Sequence, residues 1–132
     1  MTIDFIPNIN NYGEHVVRLY AFDKIEAERF RKALHQVVLV EKQPLDLLTL
    51  LFVEARNANL ILRIAEEDEG ISTENGQVFY CDLTLESYEK MEKLVQPFTT
   101  KDTVAFQWLY DVDTEIDLLF APAGTWEEED EI

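Results

Sequence analysis

Residues 47–66 read LLTLLFVEARNANLILRIAE, two apolar runs separated by Asn57-Ala58. A turn at those two residues sets Ala55, Val53 and Leu51 opposite Leu60, Leu62 and Ile64, so that one face of a hairpin is wholly aliphatic. The other face sets Leu50, Phe52 and Glu54 against Ile61, Arg63 and Ala65 and is half polar. A hairpin apolar on both sides belongs in a sheet covered from both sides, by helices, another sheet or another subunit.

Toward the N-terminus, Pro44 disfavours helix at Gln43, so the entry into this hairpin is extended. Asp23 with Glu26 three residues on is an aspartate version of the capping box and predicts a helix running to about Val37. Ile25, Phe30, Leu34 and Val37 make its expected buried stripe. His15 to Phe22 alternates as a strand, with Val17, Leu19 and Ala21 on one face. Residues 1–14, punctuated by Pro7, Asn8, Asn10, Asn11 and Gly13, read as an irregular lead-in.

Toward the C-terminus, Asn75-Gly76 between Thr73 and Val78 is the strongest short-range turn signal in the chain. A strand from Gln77 to Leu83 should turn back along its predecessor, with Gly70 as a bulge or bend and with Phe79, Cys81 and Leu83 on one face. Thr84 caps a second expected helix, Leu85 to Gln96, with Leu85, Tyr88, Met91 and Val95 inward and Pro97 at its end. Val104 to Ala121 reads as a further hairpin. Centring its turn on Asp113 pairs Tyr110 with Ile116, Trp108 with Leu118 and Phe106 with Phe120, which makes one face apolar. No internal repeat and no interdomain linker is visible in the sequence.

The order strand, helix, three-strand meander, helix, hairpin predicts an α+β fold. The expected arrangement is one mostly antiparallel sheet of five to six strands with two helices packed on one face. Residues 1–126 form the predicted domain. Residues 127–132, with five acids in six positions, form a predicted disordered acidic tail. Two helices cannot cover both faces of such a sheet. Leu50, Phe52 and Ile61 on the outer face are therefore the expected interface of a homodimer.

At 132 residues and 47 % hydrophobic content the chain suits a single domain with its own core. Acids outnumber bases 27 to 11, for a formal charge of −16. That balance argues against DNA, RNA or an anionic membrane surface and favours a basic protein partner, a cation or a well-solvated surface. The single Cys81 excludes an intrachain disulfide, and two histidines leave little for a zinc site. MTIDFIPNINNYG lacks the pattern of a signal peptide, and no apolar run is long enough to span a membrane, so a cytoplasmic protein is expected.

Asp111, Asp113, Glu115 and Asp117 fall at alternate positions, the spacing of the first ligands of a calcium loop. The glycine such a loop needs at its sixth position is Ile116 here and the bidentate acid at its twelfth is Pro122, so a solvated strand face is preferred. Glu66, Glu67, Asp68 and Glu69 likewise suit a solvated sheet edge. Neither serine lies in a Gly-x-Ser-x-Gly elbow, His15 and His35 have no partner in any recognised motif, and Cys81 reads as a buried strand residue. With four scattered glycines there is no phosphate-cradling loop, and no cofactor is implied. The reading that fits best is a non-catalytic protein-binding domain, of inhibitor or immunity type. Its candidate partner-binding residues are Glu66–Glu69, Asp111, Asp113, Glu115 and Asp117. The alternatives are a homo-oligomeric structural or small-ligand-binding domain and, weakest, a carboxylate-dependent enzyme. Truncation after Trp126 is expected to leave the thermal midpoint unchanged. A drop of several degrees, equivalent to ~1 kcal/mol, would show that the tail docks on the body.

Overall fold

The computed structural model describes residues 1–7, 14–112 and 114–124. In chain order these form β1 (Thr2–Ile6), β2 (His15–Tyr20), α1 (Lys24–Ala33), β3 (Leu45–Asp46), β4 (Glu54–Ala55), β5 (Asn59–Ile64), β6 (Gly70–Thr73), β7 (Val78–Leu83), α2 (Leu85–Val95), β8 (Gln107–Tyr110) and β9 (Ile116–Ala121). The α+β class is as the sequence predicts. The strands do not make one mostly antiparallel sheet, however. They make two mixed sheets, ordered β4-β1-β2-β9-β8 and β3-β5-β7-β6. At the centre of each lies a parallel ladder of remote segments: β2 against β9 from His15↔Ile116 to Tyr20↔Ala121, and β5 against β7 from Asn59↔Val78 to Ile64↔Leu83. Parallel neighbours share no tight turn, so nothing local in the sequence announces them.

The hairpin expected within residues 47–66 does not form, because its first arm is drawn elsewhere. Asp46 accepts from Leu48 N (3.0 Å) and from Asn59 Nδ2 (2.8 Å), which closes a 3₁₀ turn over Leu47–Thr49. The chain then crosses to the other sheet, where Glu54 N donates to Met1 O and Arg56 N to Ile3 O (both 2.9 Å). Asn57, read as a turn residue, instead extends this pairing through its side chain. Its Oδ1 accepts from Phe5 N (2.8 Å) and its Nδ2 donates to Phe5 O (3.1 Å). Leu51 is left fully exposed, while Leu47 and Val53 are buried. The segment expected to be an irregular lead-in supplies the strand that does this, since β1 pairs antiparallel with β2 over its whole length.

Local signals held. Asp23 accepts from Glu26 N (2.8 Å) to start α1, and Thr84 accepts from Ser87 N (3.2 Å) to start α2. The Asn75-Gly76 turn joins β6 to β7, with Gly76 at φ +73°. Helix α1 continues as a π-helical segment over Leu34–Val40, and its buried stripe is Ala27, Phe30, Leu34 and Val38 rather than one containing the exposed Ile25. The β8–β9 hairpin forms in a different register, with Trp108↔Leu119 and Tyr110↔Leu118 and an irregularity between them that buries Leu109. The pairing of β9 with β2 sends Leu118 and Phe120 to the core and Leu119 and Ala121 to the opposite face.

A structural repeat underlies this topology, although the sequence shows none. Residues 1–64 run hairpin (β1, β2), helix (α1), then an antiparallel pair (β3, β5). Residues 70–121 run hairpin (β6, β7), helix (α2), then an antiparallel pair (β8, β9). In each half the last pair joins the other half's sheet, so β1-β2-β9-β8 and β6-β7-β5-β3 are equivalent orders with equivalent directions, and β4 is an addition at one edge. The two helices meet through Arg31 and Glu92 (2.8 Å). One core joins them to both sheets: Phe22, Phe30, Phe98 and Phe120 cluster beneath α1, and the Phe5 and Phe79 rings, 4.6 Å apart, link sheet to sheet. The Tyr88 hydroxyl on α2 donates to Cys81 O (2.6 Å) and accepts from Arg63 N (3.1 Å), tying the helix to both β7 and β5.

Each sheet carries an arginine–aspartate fork stacked on a tyrosine. On the five-stranded sheet Arg18 bonds Asp4 twice (Nε–Oδ1 and Nη2–Oδ2, both 2.8 Å), and its guanidinium lies 3.9 Å from the centre of the Tyr20 ring. Both charged side chains are fully buried, and Arg56 closes on the same carboxylate from the rim. On the four-stranded sheet Arg63 bonds Asp82 (2.7 and 2.8 Å) over Tyr80 at 4.0 Å, and this pair is partly open to water. Removing one member of a buried pair leaves a charge without compensation. Asp4→Ala should therefore cost ~3–5 kcal/mol in urea unfolding, and Asp4→Leu with Arg18→Met should recover most of that loss. A double variant that loses as much as Asp4→Ala would show that an uncompensated Arg18 charge is not the source of the loss.

Candidate functional site

The acidic residues singled out in the sequence come from two segments, and the fold brings these together. Gly70 opens β6 with φ +84°, and a side-chain carbon built there would lie 3.0 Å from Thr114 Oγ1 and 3.3 Å from Thr114 Cβ. That close approach sets the link 65–69 beside the β8–β9 loop. Thr114 organises the loop by donating to Ile116 O (2.9 Å). Glu66, Glu67 and Glu69 are exposed on one side of the contact, and Asp111 and Glu115 on the other. Asp113 lies outside the described residues.

Two of these acids have more specific surroundings. Asp68 accepts from Thr84 N (2.8 Å), Thr84 Oγ1 (3.0 Å) and Ser87 Oγ (2.6 Å) at the start of α2. The Ser87 and Thr84 hydrogen bonds hold its carboxyl below the usual aspartate range, so this residue caps a helix. Asp117 sits half-buried on β9 opposite Val16. Burial first, then the neighbouring carboxylates of Glu14 and Asp111, push its pKa up to about 6. Glu14 was hidden from sequence reasoning because it sits in the stretch read as lead-in. Only the β2–β9 register brings it to the acidic loop.

A groove of about 620 Å³ opens beside the link, at the carboxyl ends of the parallel strands β5 and β7. Glu66, Glu67 and Glu69 line it together with Arg63, Ile64, Ala65 and Asp82. Arg63 is the cation in its wall and is already forked to Asp82. A second groove of about 560 Å³ has Phe22 and Phe98 in its floor and the Lys24–Asp102 ion pair (3.3 Å) beside it. Among the described residues no three His, Cys, Asp or Glu side chains are placed to hold a metal ion. Burial pushes the Cys81 thiol up to about 12, which keeps it protonated and unreactive at neutral pH. Among the described residues no helix is long and apolar enough to cross a membrane.

The expected dimer residues are not aligned on one hairpin. Leu50 and Phe52 lie half-buried against the main core in the turn before β4, and Ile61 lies on the outer face of β5. No protein-family model matches the chain, and no curated protein sequence matches it.

The raised Asp117 pKa has a consequence for stability. A carboxyl whose folded pKa lies above its unfolded value binds protons more tightly when folded. Stability therefore falls as pH rises from about 4 to about 6 and stays lowered above that. Asp117→Asn should raise the thermal midpoint at pH 8 by about 3 °C and lose that advantage below about pH 4. A gain independent of pH would show that the carboxylate charge is not its source.

Proposed function

We propose that this domain is a non-catalytic protein-binding module, of inhibitor or immunity type, that takes a basic partner at its acidic end. The observation that carries this reading is the packing of Gly70 on Thr114. It brings the link that carries Glu66, Glu67 and Glu69 against the loop between Asp111 and Asp117. The upward shift of Asp117 supports it, because part of that shift, after burial, comes from the neighbouring charges of Glu14 and Asp111. A surface that repels its own charges gains most when a cation arrives. Such a patch steers a positive partner and raises its association rate, and the steering weakens as salt shortens the Debye length to about 10 Å at 0.1 M. A cytoplasmic setting accords with a single buried, unbridged Cys81.

Self-association is the second reading. It is favoured by the full exposure of Leu51, the partial exposure of Leu48, and an outer face of the four-stranded sheet that presents half-buried Ile61, Val78 and Tyr80. Light scattering on the eluting protein distinguishes a dimer from a 15.4 kDa monomer.

The primary reading is tested by affinity capture from the source cells at low and moderate salt, with wild-type bait and with bait carrying Asp111→Lys and Glu115→Lys. The expected result is a basic partner held at low salt, weakened at moderate salt and lost from the charge-reversed bait. Recovery of no partner at either salt, or of one indifferent to the reversal, leaves the charge as a solubility device.

A further inference from the structure

We propose that the two halves of this chain, residues 1–64 and 70–121, constitute an internal pseudo-dimer, and that two copies of the chain exchange halves to form an intertwined dimer. The basis is the pairing pattern. Both central ladders, β2–β9 and β5–β7, join one half to the other. Helix α1 meets α2 across the same boundary, through Arg31 and Glu92. The central contacts of both sheets are thus between halves, and a half supplied by a second copy makes the same ones.

The covalent connection between halves is confined to residues 65–69, which carry four consecutive acids at Glu66–Glu69. Strand β5 lies beside β7, and β6 lies on the far side of β7. The link must therefore pass over the end of β7 and span two strand spacings, about 10 Å, in the plane of the sheet. It is held at both ends, by Ala65 N to Leu83 O (2.8 Å) and by Glu69 N to Asp82 O (2.9 Å), and Asp68 is engaged in capping α2. Glu66 and Glu67 make the crossing. In the exchanged dimer Asp68 and Glu69 keep their bonds, because their partners Thr84, Ser87 and Asp82 lie in the same half. Only Glu66 and Glu67 change conformation, to an extended path that separates neighbouring carboxylates. A short connection between two interlocking halves is the setting in which such an exchange occurs.

Exchange differs from side-by-side association in that the contacts between halves, the Arg63–Asp82 fork among them, become intermolecular. Full-length Arg63→Asp and Asp82→Arg chains are refolded separately and as an equimolar mixture. Each chain alone places two like charges in the fork. In the exchanged heterodimer one fork is the wild-type pair and the other is the same pair reversed, so both are satisfied. The mixture should give a 1:1 species at twice 15.4 kDa, melting above either variant alone. As a second arm, deletion of Glu66 and Glu67 from the otherwise wild-type chain removes the crossing. It should convert the protein to a folded dimer that persists on tenfold dilution. A mixture that behaves as the sum of its parts, together with a deletion variant that is a folded monomer or is unfolded at every concentration, overturns the proposal. A surface-contact dimer leaves the charge-reversed mixture unrescued and is thereby told apart.

Discussion

The constraint on which this structure rests is that its two central ladders are parallel. Antiparallel neighbours can follow each other through a two-residue turn, whereas parallel neighbours need a crossover. Here β2 waits for β9, residue 15 against residue 116, and β5 waits for β7. Each sheet thus has its middle assembled from different halves of the chain, and neither half holds a complete sheet. The helices answer to the same constraint. Each follows directly from a central strand, starting at Asp23 after β2 and at Thr84 after β7, and lies over the shared core. The Tyr88 hydroxyl, bonded to backbone atoms of both β5 and β7, closes one ladder from above.

The two arginine–aspartate forks show how one architecture gives opposite electrostatic outcomes. Arg18 and Asp4 are sealed from water, so their mutual attraction offsets a desolvation cost that only good geometry can meet. Their bidentate bonds, with Arg56 on the same carboxylate, supply that geometry. Arg63 and Asp82 sit at a groove rim, where water screens them and the pair contributes less. The difference is one of cover, since both arginines stack on a tyrosine at closely similar distance. Charge elsewhere follows the same logic. Exposed acids around Glu66 and Asp111 keep their hydration, whereas Asp117, half-withdrawn beside Val16, feels its neighbours.

What was legible in the sequence was what short-range chemistry decides. Asn75-Gly76 needed only its own backbone preferences, and the caps at Asp23 and Thr84 needed only the next three residues. The α+β class followed from counting such units. The illegible part was partner choice. Asn57 has the composition of a turn residue, yet its amide serves as a strand surrogate for Phe5. Ile25 matched a helical stripe, but the core lay on the side of Ala27. Asp111 and Asp117, read from their alternation, do lie close enough for one charge to act on the other. That Asp117 would be the perturbed member depended on β2, which no local pattern connects to β9. Glu14 and the arginine forks were missed for the same reason. The structural repeat stayed hidden because its halves share an order of elements and a capping logic, with few identical residues between them.

The order of synthesis gives these ladders a further meaning. A ribosome releases the N-terminal half first, and domains begin to organise as they emerge. When Ile64 is exposed, β1 and β2 can already pair, but the far edge of β2 and the β7-facing edge of β5 have nothing to bond. The open edge of β5 is covered once residues 78–83 arrive. That of β2, running through Val16, Val17 and Leu19, stays open until residues 116–121 have left the exit tunnel. An apolar strand edge is a template for unwanted pairing for as long as it remains uncovered. For this protein about a hundred residues separate β2 from β9, so the uncovered edge belongs to the growing chain and not to the folded one.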